Sequence, residues 1–349
     1  MADKLRIGII GAGFMGKTYA ATIARNIPEV ELTAVSAEVG ADEIAGEYKI
    51  KQHEDWRALA DSDQVDAVLV ATPQSTHEEM GVYIANAGKH VMLEKPMART
   101  PEECDAIIEA CDKAGVKLSV AQTQRHRVCN YAAREVLDSG RLGKVLQIRS
   151  ISVNAEVKGT VPRWNLAPEQ NGLILGHSIH HFDAVRYFSA AEPKTVFARV
   201  RNLMPKMPDG TELPSDGTVD ALIEMTDGSV AYVLSTWEAP KPGIPGEAFN
   251  HHLICSDGLA LINAYTDTRI AVRGGEWEEI AVQEPIDWAG KGYLDQVRLE
   301  SYTRHLKTYF DAITGNTTPP ITGWDGRQAV AMCVACYESS RTGKAVELG

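Results

Sequence analysis

Long apolar runs are missing from this 349-residue chain. None approaches the roughly 20 residues that a helix needs to cross a bilayer, so no membrane-spanning segment is expected. The start, Met1-Ala2-Asp3-Lys4, leads directly into a strand pattern without a signal-peptide layout, and a cytoplasmic protein is the expectation. Basic charge is also scarce. Lys and Arg number 35 against 47 Asp and Glu, and a net charge of −12 argues against DNA or RNA as a partner. Arg125-His126-Arg127 is the compact basic cluster, and it suits a small anion, a cofactor or an ion pair. The six cysteines (Cys104, Cys111, Cys129, Cys255, Cys333, Cys336) are scattered among apolar neighbours, as reduced core thiols would be. Cys333 and Cys336 form a CxxC, but inside a helical run with no second pair or nearby histidine to complete a zinc site. No metal is expected, and there are no internal repeats or low-complexity tracts.

What is present is ordinary globular material: 44% apolar and 23% charged residues. The length exceeds that of a usual single domain, so two domains are expected, residues 1–122 and 123–349. In the first, short Val/Ile/Leu runs (Arg6–Ile10, Glu31–Ser36, Val65–Thr72, His90–Glu94, Lys117–Gln122) alternate with helical patterns (Phe14–Arg25, Ser75–Ala87, Thr100–Ala114). Near-continuous apolar strands between helices are what a parallel sheet covered on both faces demands. Ser75 with Glu78, and Thr100-Pro101 with Glu103, match helix-starting capping boxes. Beyond residue 123 the texture changes. A helix through Val136 ends at Gly140, a long strand covers Lys144–Val157, and a helix follows over Leu173–Phe188. From Thr195 the pattern is antiparallel, with Asp227-Gly228 and Asp257-Gly258 as hairpin turns; Leu294–Ile313 and Gln328–Ser340 close the chain as helices. The fold class is therefore α/β: a parallel sheet covered on both faces, followed by a second domain with a mostly antiparallel sheet.

Gly11-Ala12-Gly13-Phe14-Met15-Gly16 is a GxGxxG set between a strand and a helix, the context this motif requires. Gly11 permits the tight turn, Gly13 lets the backbone approach a pyrophosphate, and Gly16 allows close helix–strand contact, with the helix N-terminus facing the anion. Phe14 and Met15 open that helix. At the end of the second strand an acidic group would accept from the ribose 2′-OH. Here the stretch reads Ser36-Ala37-Glu38, with Ala37 at the usual acidic place and Glu38 one position on. The small Ser-Ala pair leaves room for a 2′-phosphate, yet no Arg or Lys follows to bind it. Both NAD and NADP are admitted, with a lean to NAD through Glu38.

Three further motifs join the glycine loop: Ala71-Thr72-Pro73 followed by His77, Glu94-Lys95-Pro96, and the stretch Gly172–Asp183 ending in His180-x-x-Asp183. Together they resemble the Gfo/Idh/MocA family, named from glucose–fructose oxidoreductase and inositol dehydrogenase. The likeness runs nearly end to end, through Ser139–Val145 and Ser339–Val346. The resemblance implies an N-terminal Rossmann dinucleotide-binding domain and a C-terminal α/β domain with a large open, mostly antiparallel sheet, through which subunits pair as homodimers or homotetramers. It also implies reversible hydride transfer at secondary alcohols of sugars, polyols and related cyclic compounds.

Removing a hydride from a carbinol carbon requires a base for the hydroxyl proton and a donor for the developing oxygen charge. Lys95, at the carboxyl end of a parallel strand beside the expected cofactor crevice, suits that acid–base role. His180 is the second candidate. On a continuous helix Gly176, His180 and Asp183 share one face. In the family a carboxylate commonly stands four residues before that histidine, where this chain has Gly176. Either His177 or another side chain takes the orienting role, or the activity is altered. The dinucleotide is expected over Gly11–Gly16, Ser36–Glu38, Thr72, Pro73, His77, Glu94 and Lys95, and the substrate against Lys95, Arg125, Trp164, His177, His180 and Asp183. The expected function is NAD(P)-dependent hydride transfer on a polyhydroxylated small molecule. The alternatives are a redox-neutral lyase or glycosidase that uses transient oxidation, and a non-catalytic dinucleotide-binding regulator.

Overall fold

The computed structural model describes residues 4–155, 163–206, 210–244, 246 and 248–349, without the side chains of residues 163, 164 and 168. The chain forms two compact units, one of Met1–Thr123 with Ile286–Arg327 and one of Gln124–Pro285 with Gln328–Gly349. The later segment thus belongs with the first unit, a return that a single division after residue 122 does not contain.

The first unit is built on strands β1 (Leu5–Ile10), β2 (Val30–Ser36), β3 (Lys51–Gln52), β4 (Ala67–Val70), β5 (His90–Leu93) and β6 (Leu118–Val120). Helices α1 (Phe14–Asn26), α2 (Ala41–Tyr48), α3 (Trp56–Ala60), α4 (His77–Asn86) and α5 (Pro101–Ala114) connect them. The strands are all parallel, in the order β3-β2-β1-β4-β5-β6. Strand order reverses direction between β1 and β4, and such a point leaves a crevice at the strands' carboxyl ends. Ile7, Ile9, Val68 and Leu69 are wholly buried, as helices on both sheet faces require. Thr100 caps α5 by accepting from the Glu103 amide at 3.3 Å, but Glu103 reaches back to the Arg99 amide (2.8 Å) rather than to that of Thr100. The helix expected from Ser75 instead opens with a 3-10 turn, Gln74–Thr76, so α4 itself starts at His77.

The second unit contains α6 (Val128–Asp138), β7 (Val145–Ala155), α7 (Ile179–Ser189), β8 (Pro193–Arg201), β9 (Thr218–Met225), β10 (Val230–Ala239), β11 (Asn250–Cys255), β12 (Gly258–Asn263), β13 (Asp267–Val272) and β14 (Glu278–Val282). The chain then gives α8 (Gln296–Thr314) to the first unit, continues through α9 (Gly323–Thr342), and ends with β15 (Val346–Glu347). The sheet order is β14-β13-β12-β11-β7-β10-β9-β8-β15, antiparallel except where β10 runs parallel to β7. Both Asp-Gly hairpins form, β9–β10 and β11–β12. Alternation decides the faces. Val196, Ala198, Ala221, Ile223, Ala231 and Val233 turn inward, whereas Phe197, Leu222, Tyr232 and Leu234 are at least 39% exposed. The CxxC thiols of α9 are fully buried and free, as core cysteines.

One expected helix is not continuous. Ile174–Ser178 forms a π-helical turn before α7 begins at Ile179. The wider turn breaks the advance of about 100° per residue on which the shared face of Gly176 and His180 was predicated.

Candidate functional site

In the first unit the glycine loop closes as its sequence demands. Gly11 adopts φ +103°, and its amide donates to the Ser36 carbonyl at 2.8 Å, tying the ends of β1 and β2. A Cβ on Gly11 would collide with the Ala71 carbonyl, and one on Gly16 with the Gly11 carbonyl. Around Gly13, by contrast, an added Cβ would meet nothing within 4 Å. This is open space over the helix N-terminus. The first turn of α1 holds no acidic residue and no side chain caps it, so its amides remain suited to an anion. The loop fits the pyrophosphate of a dinucleotide. Phe14 is half exposed at the start of α1, with Met15 partly buried beside it. Ser36 is buried, and the exposed Glu38 follows Ala37 in the loop after β2.

Opposite this loop, at the end of β4, Thr72 Oγ1 lies 2.8 Å from Thr76 Oγ1. The buried His77 ring lies between the Thr72-Pro73 and Lys95-Pro96 segments, its Nε2 2.9 Å from the Thr72 carbonyl and its Nδ1 3.0 Å from the Pro96 carbonyl, and the neutral ring donates to one of the two. Burial lowers its pKa below the usual imidazole range.

Glu94 and Lys95 emerge from β5. The Glu94 carboxylate is buried; Oε2 accepts from the Lys95 amide at 3.0 Å and Oε1 from the Tyr19 hydroxyl. Burial raises its pKa, with the Lys95 charge acting against the rise. Burial likewise lowers the Lys95 ammonium from its ordinary value, and the Glu94 carboxylate opposes that shift. A lysine moved in this direction is nearer to the pKa of a working acid–base group. The Lys95–Pro96 peptide is cis.

In the second unit, Arg125 and Asp183 were assigned separately to substrate from the sequence, and they meet each other. Arg125 Nε donates to Asp183 Oδ2 at 2.9 Å and Nη2 to Oδ1 at 2.6 Å. His177 accepts at Nε2 from Asn165 Nδ2 at 3.3 Å, and its ring lies 4.9 Å from that of Trp237. His180 makes an edge contact with Phe249 at 5.8 Å. The neighbouring His181 stacks on the same Phe249 at 4.8 Å, and its Nδ1 lies 2.7 Å from Ser150 Oγ. Trp164 lies in a 3-10 turn, Arg163–Leu166, and its side chain is outside the described residues.

Several positioning groups carry no motif and were not foreseen. Asp216 accepts from the Leu173 and Ile174 amides (3.3 and 2.9 Å) and from the Tyr337 hydroxyl (3.0 Å), anchoring the segment that leads into the π-turn. Gly172 has φ +93°, and a Cβ there would lie 2.6 Å from Asp216 Oδ1. It is small for this internal contact. Tyr19 and Arg298 are the corresponding groups of the first unit. Among the described residues no cluster of His, Cys, Asp and Glu could hold a metal ion, and no helix is long and apolar enough to cross a membrane.

Comparison with known proteins agrees with this geometry. The oxidoreductase family with an NAD-binding Rossmann fold, GFO_IDH_MocA, matches residues 5–122. The GFO/IDH/MocA C-terminal domain matches residues 131–259, and the oxidoreductase C-terminal alpha/beta domain residues 288–348. Inositol 2-dehydrogenase 2 of Saccharopolyspora erythraea is 27% identical over 97% of this chain and 94% of its own. The scyllo-inositol 2-dehydrogenase (NAD(+)) of Bacillus subtilis is 24% identical over 100% of this chain and 97% of its own. Among solved structures, a levoglucosan dehydrogenase in complex with NADH and levoglucosan shares the fold, with a TM-score of 0.84, 22% identity and 99% coverage of both chains. The family matches span most of the sequence, and the chain belongs to the Gfo/Idh/MocA family as an NAD(P)-dependent oxidoreductase.

Proposed function

We propose that this protein is a dehydrogenase that prefers NAD and oxidises a secondary alcohol of a polyol or sugar ring, reversibly. The observation that carries the reading is Lys95: a lysine at the carboxyl end of β5, lowered in pKa by burial, next to a buried carboxylate. In its neutral form it takes the hydroxyl proton from the substrate; in its charged form it returns that proton in the reverse direction. The bound nicotinamide supplies the hydride acceptor. The curated relatives named as inositol dehydrogenases support a polyhydroxylated ring as substrate. The preference for NAD rests on Glu38 and on the lack of Lys or Arg at positions 36–40.

The second unit then serves as the substrate and oligomerisation domain. His180 assists the proton transfer, and His177, held by Asn165, contacts substrate. Arg125 and Asp183 contribute as one preset unit. The outward row Phe197, Leu222 and Tyr232, in register across three strands, supports pairing of two copies through the sheet. A cytoplasmic location accords with six buried free cysteines.

The test is a panel of inositols and cyclic sugars assayed for nicotinamide reduction. The expected result is turnover with NAD, falling about 10²–10⁴-fold in Lys95→Ala. Substrate conversion with no net nicotinamide reduction would support the redox-neutral alternative. Cofactor binding without turnover of any panel member would support a regulator, and unaltered activity in Lys95→Ala would refute the acid–base assignment.

A further inference from the structure

Among the described residues Arg298 is the largest of the fully enclosed side chains, only 1% exposed, and it lies in the first turn of α8. Three rings box its guanidinium, with centroids at 4.6 Å (Phe14), 4.6 Å (Tyr302) and 5.7 Å (Trp288). Nη1 donates to Thr18 Oγ1 at 2.9 Å and to the Tyr293 carbonyl at 3.4 Å. Nη2 donates to the Tyr302 hydroxyl at 3.2 Å and lies 3.7 Å from Met15 Sδ. Nε has no hydrogen-bond partner among the described residues, and none of the groups that the guanidinium contacts is an anion; the buried Asp295 carboxylate accepts from the Arg298 backbone amide at 3.1 Å. A guanidinium stays charged at any working pH, and a buried charge without an opposite one paired to it is costly. Aromatic faces and neutral acceptors offset only part of that cost.

The location gives the charge a use. Phe14, Met15 and Thr18 belong to the first and second turns of α1, so the cation is lodged against the helix whose N-terminus opens at Gly13. The helix field and the guanidinium field therefore add at the same end. Glu94 is the carboxylate whose charge senses Arg298, but its two oxygens already accept from Tyr19 and from the Lys95 amide.

We infer that Arg298 is a positioning residue whose counter-charge is the cofactor's pyrophosphate: a cation behind the first turn of α1 that raises affinity for the diphosphate and leaves nucleoside recognition alone. The inference rests on dinucleotide binding and is independent of the acid–base roles of Lys95 and His180.

The test uses the full-length protein and Arg298→Met, Arg298→Gln and Arg298→Lys, titrated calorimetrically with NAD, ADP-ribose and adenosine, and melted with and without NAD. Met and Gln remove the charge, and they are expected to weaken NAD and ADP-ribose by about tenfold. Lys keeps the charge and is expected to stay within about threefold. Adenosine affinity is unchanged in all three. The melting temperature of uncomplexed Arg298→Met matches or exceeds that of the parent, while the rise produced by NAD shrinks. The proposal fails if Arg298→Gln binds NAD as the parent does, or if NAD and adenosine weaken alike. Should Arg298→Met not fold, the Gln and Lys variants decide: equal loss of NAD in both overturns the proposal, and loss in Gln alone upholds it.

Discussion

The guanidinium of Arg125 and the carboxylate of Asp183 form a two-point ion pair, with the side chains only 10% and 2% exposed. Each satisfies the other, so neither presents an isolated charge. The Tyr187 ring, 5.2 Å from the guanidinium, backs the pair. Such a pair fixes α7, on which His180 rides, to the segment that follows Thr123.

Removing one partner strands the other charge. Arg125→Met or Asp183→Asn is expected to destabilise the second unit by about 3–5 kcal/mol, because an unpaired buried charge costs more than the pair contributes. The double variant Arg125→Met/Asp183→Asn should recover much of that loss. Urea denaturation of all three measures the coupling, and strictly additive losses would show the two residues acting separately.

The glycine loop separates fold from binding. Gly16→Ala forces a Cβ into the Gly11 carbonyl, so it should lower both the melting temperature and NAD affinity. At Gly13 the space is open, and Gly13→Ala should keep the melting temperature near the parent's while NAD binding weakens, since the added methyl occupies the approach to the helix N-terminus. Thermal melts paired with NAD titrations check both. An equal fall in melting temperature for the two variants would contradict the assignment.

The acid–base role proposed for Lys95 predicts a pH dependence. Its folded pKa is lowered from 10.5, chiefly by burial, and in that role the neutral amine takes the hydroxyl proton. The kcat/KM for alcohol oxidation should therefore rise with pH and level off below pH 10.5, and the limb should vanish from the residual activity of Lys95→Met. A Glu94→Gln substitution removes the carboxylate that favours the ammonium, so the limb should move to lower pH. A shift upward would be the contrary result.

The buried histidines of the second unit predict acid sensitivity. His181 and His251 share the Ser150 hydroxyl, at 2.7 and 3.0 Å, so one imidazole Nδ1 accepts and the other donates. Burial pushes His181 down to about 3 and lowers His251 as well. Both are neutral in the native protein, whereas the unfolded chain binds protons below about pH 6.5. Stability is full above pH 6.5 and falls as the pH drops towards 3, by up to about 1.4 kcal/mol per pH unit for each group. His181→Asn should reduce that slope by one proton's worth in urea titrations from pH 7 to pH 4, and an unchanged slope would exclude His181 as a source.

The sequence alone determined whatever local backbone chemistry and periodicity control. A GxGxxG between an apolar run and a helix, parallel strands of Val, Ile and Leu, and Asp-Gly hairpins each have few structural solutions, and all formed. Glu94-Lys95 was legible because two ionisable residues at a strand end stand out from the apolar pattern. Tertiary structure decided what depends on pairing between distant residues. The pairing of Arg125 with Asp183, 58 positions apart, is one such contact. The placing of the His77 ring between the Thr72 and Pro96 carbonyls is another. The π-turn at Ile174–Ser178, the Asp216 anchor and the enclosed Arg298 left no pattern in the chain, because a hydrogen bond or a charge acts through distances in space that spacing along the sequence does not encode.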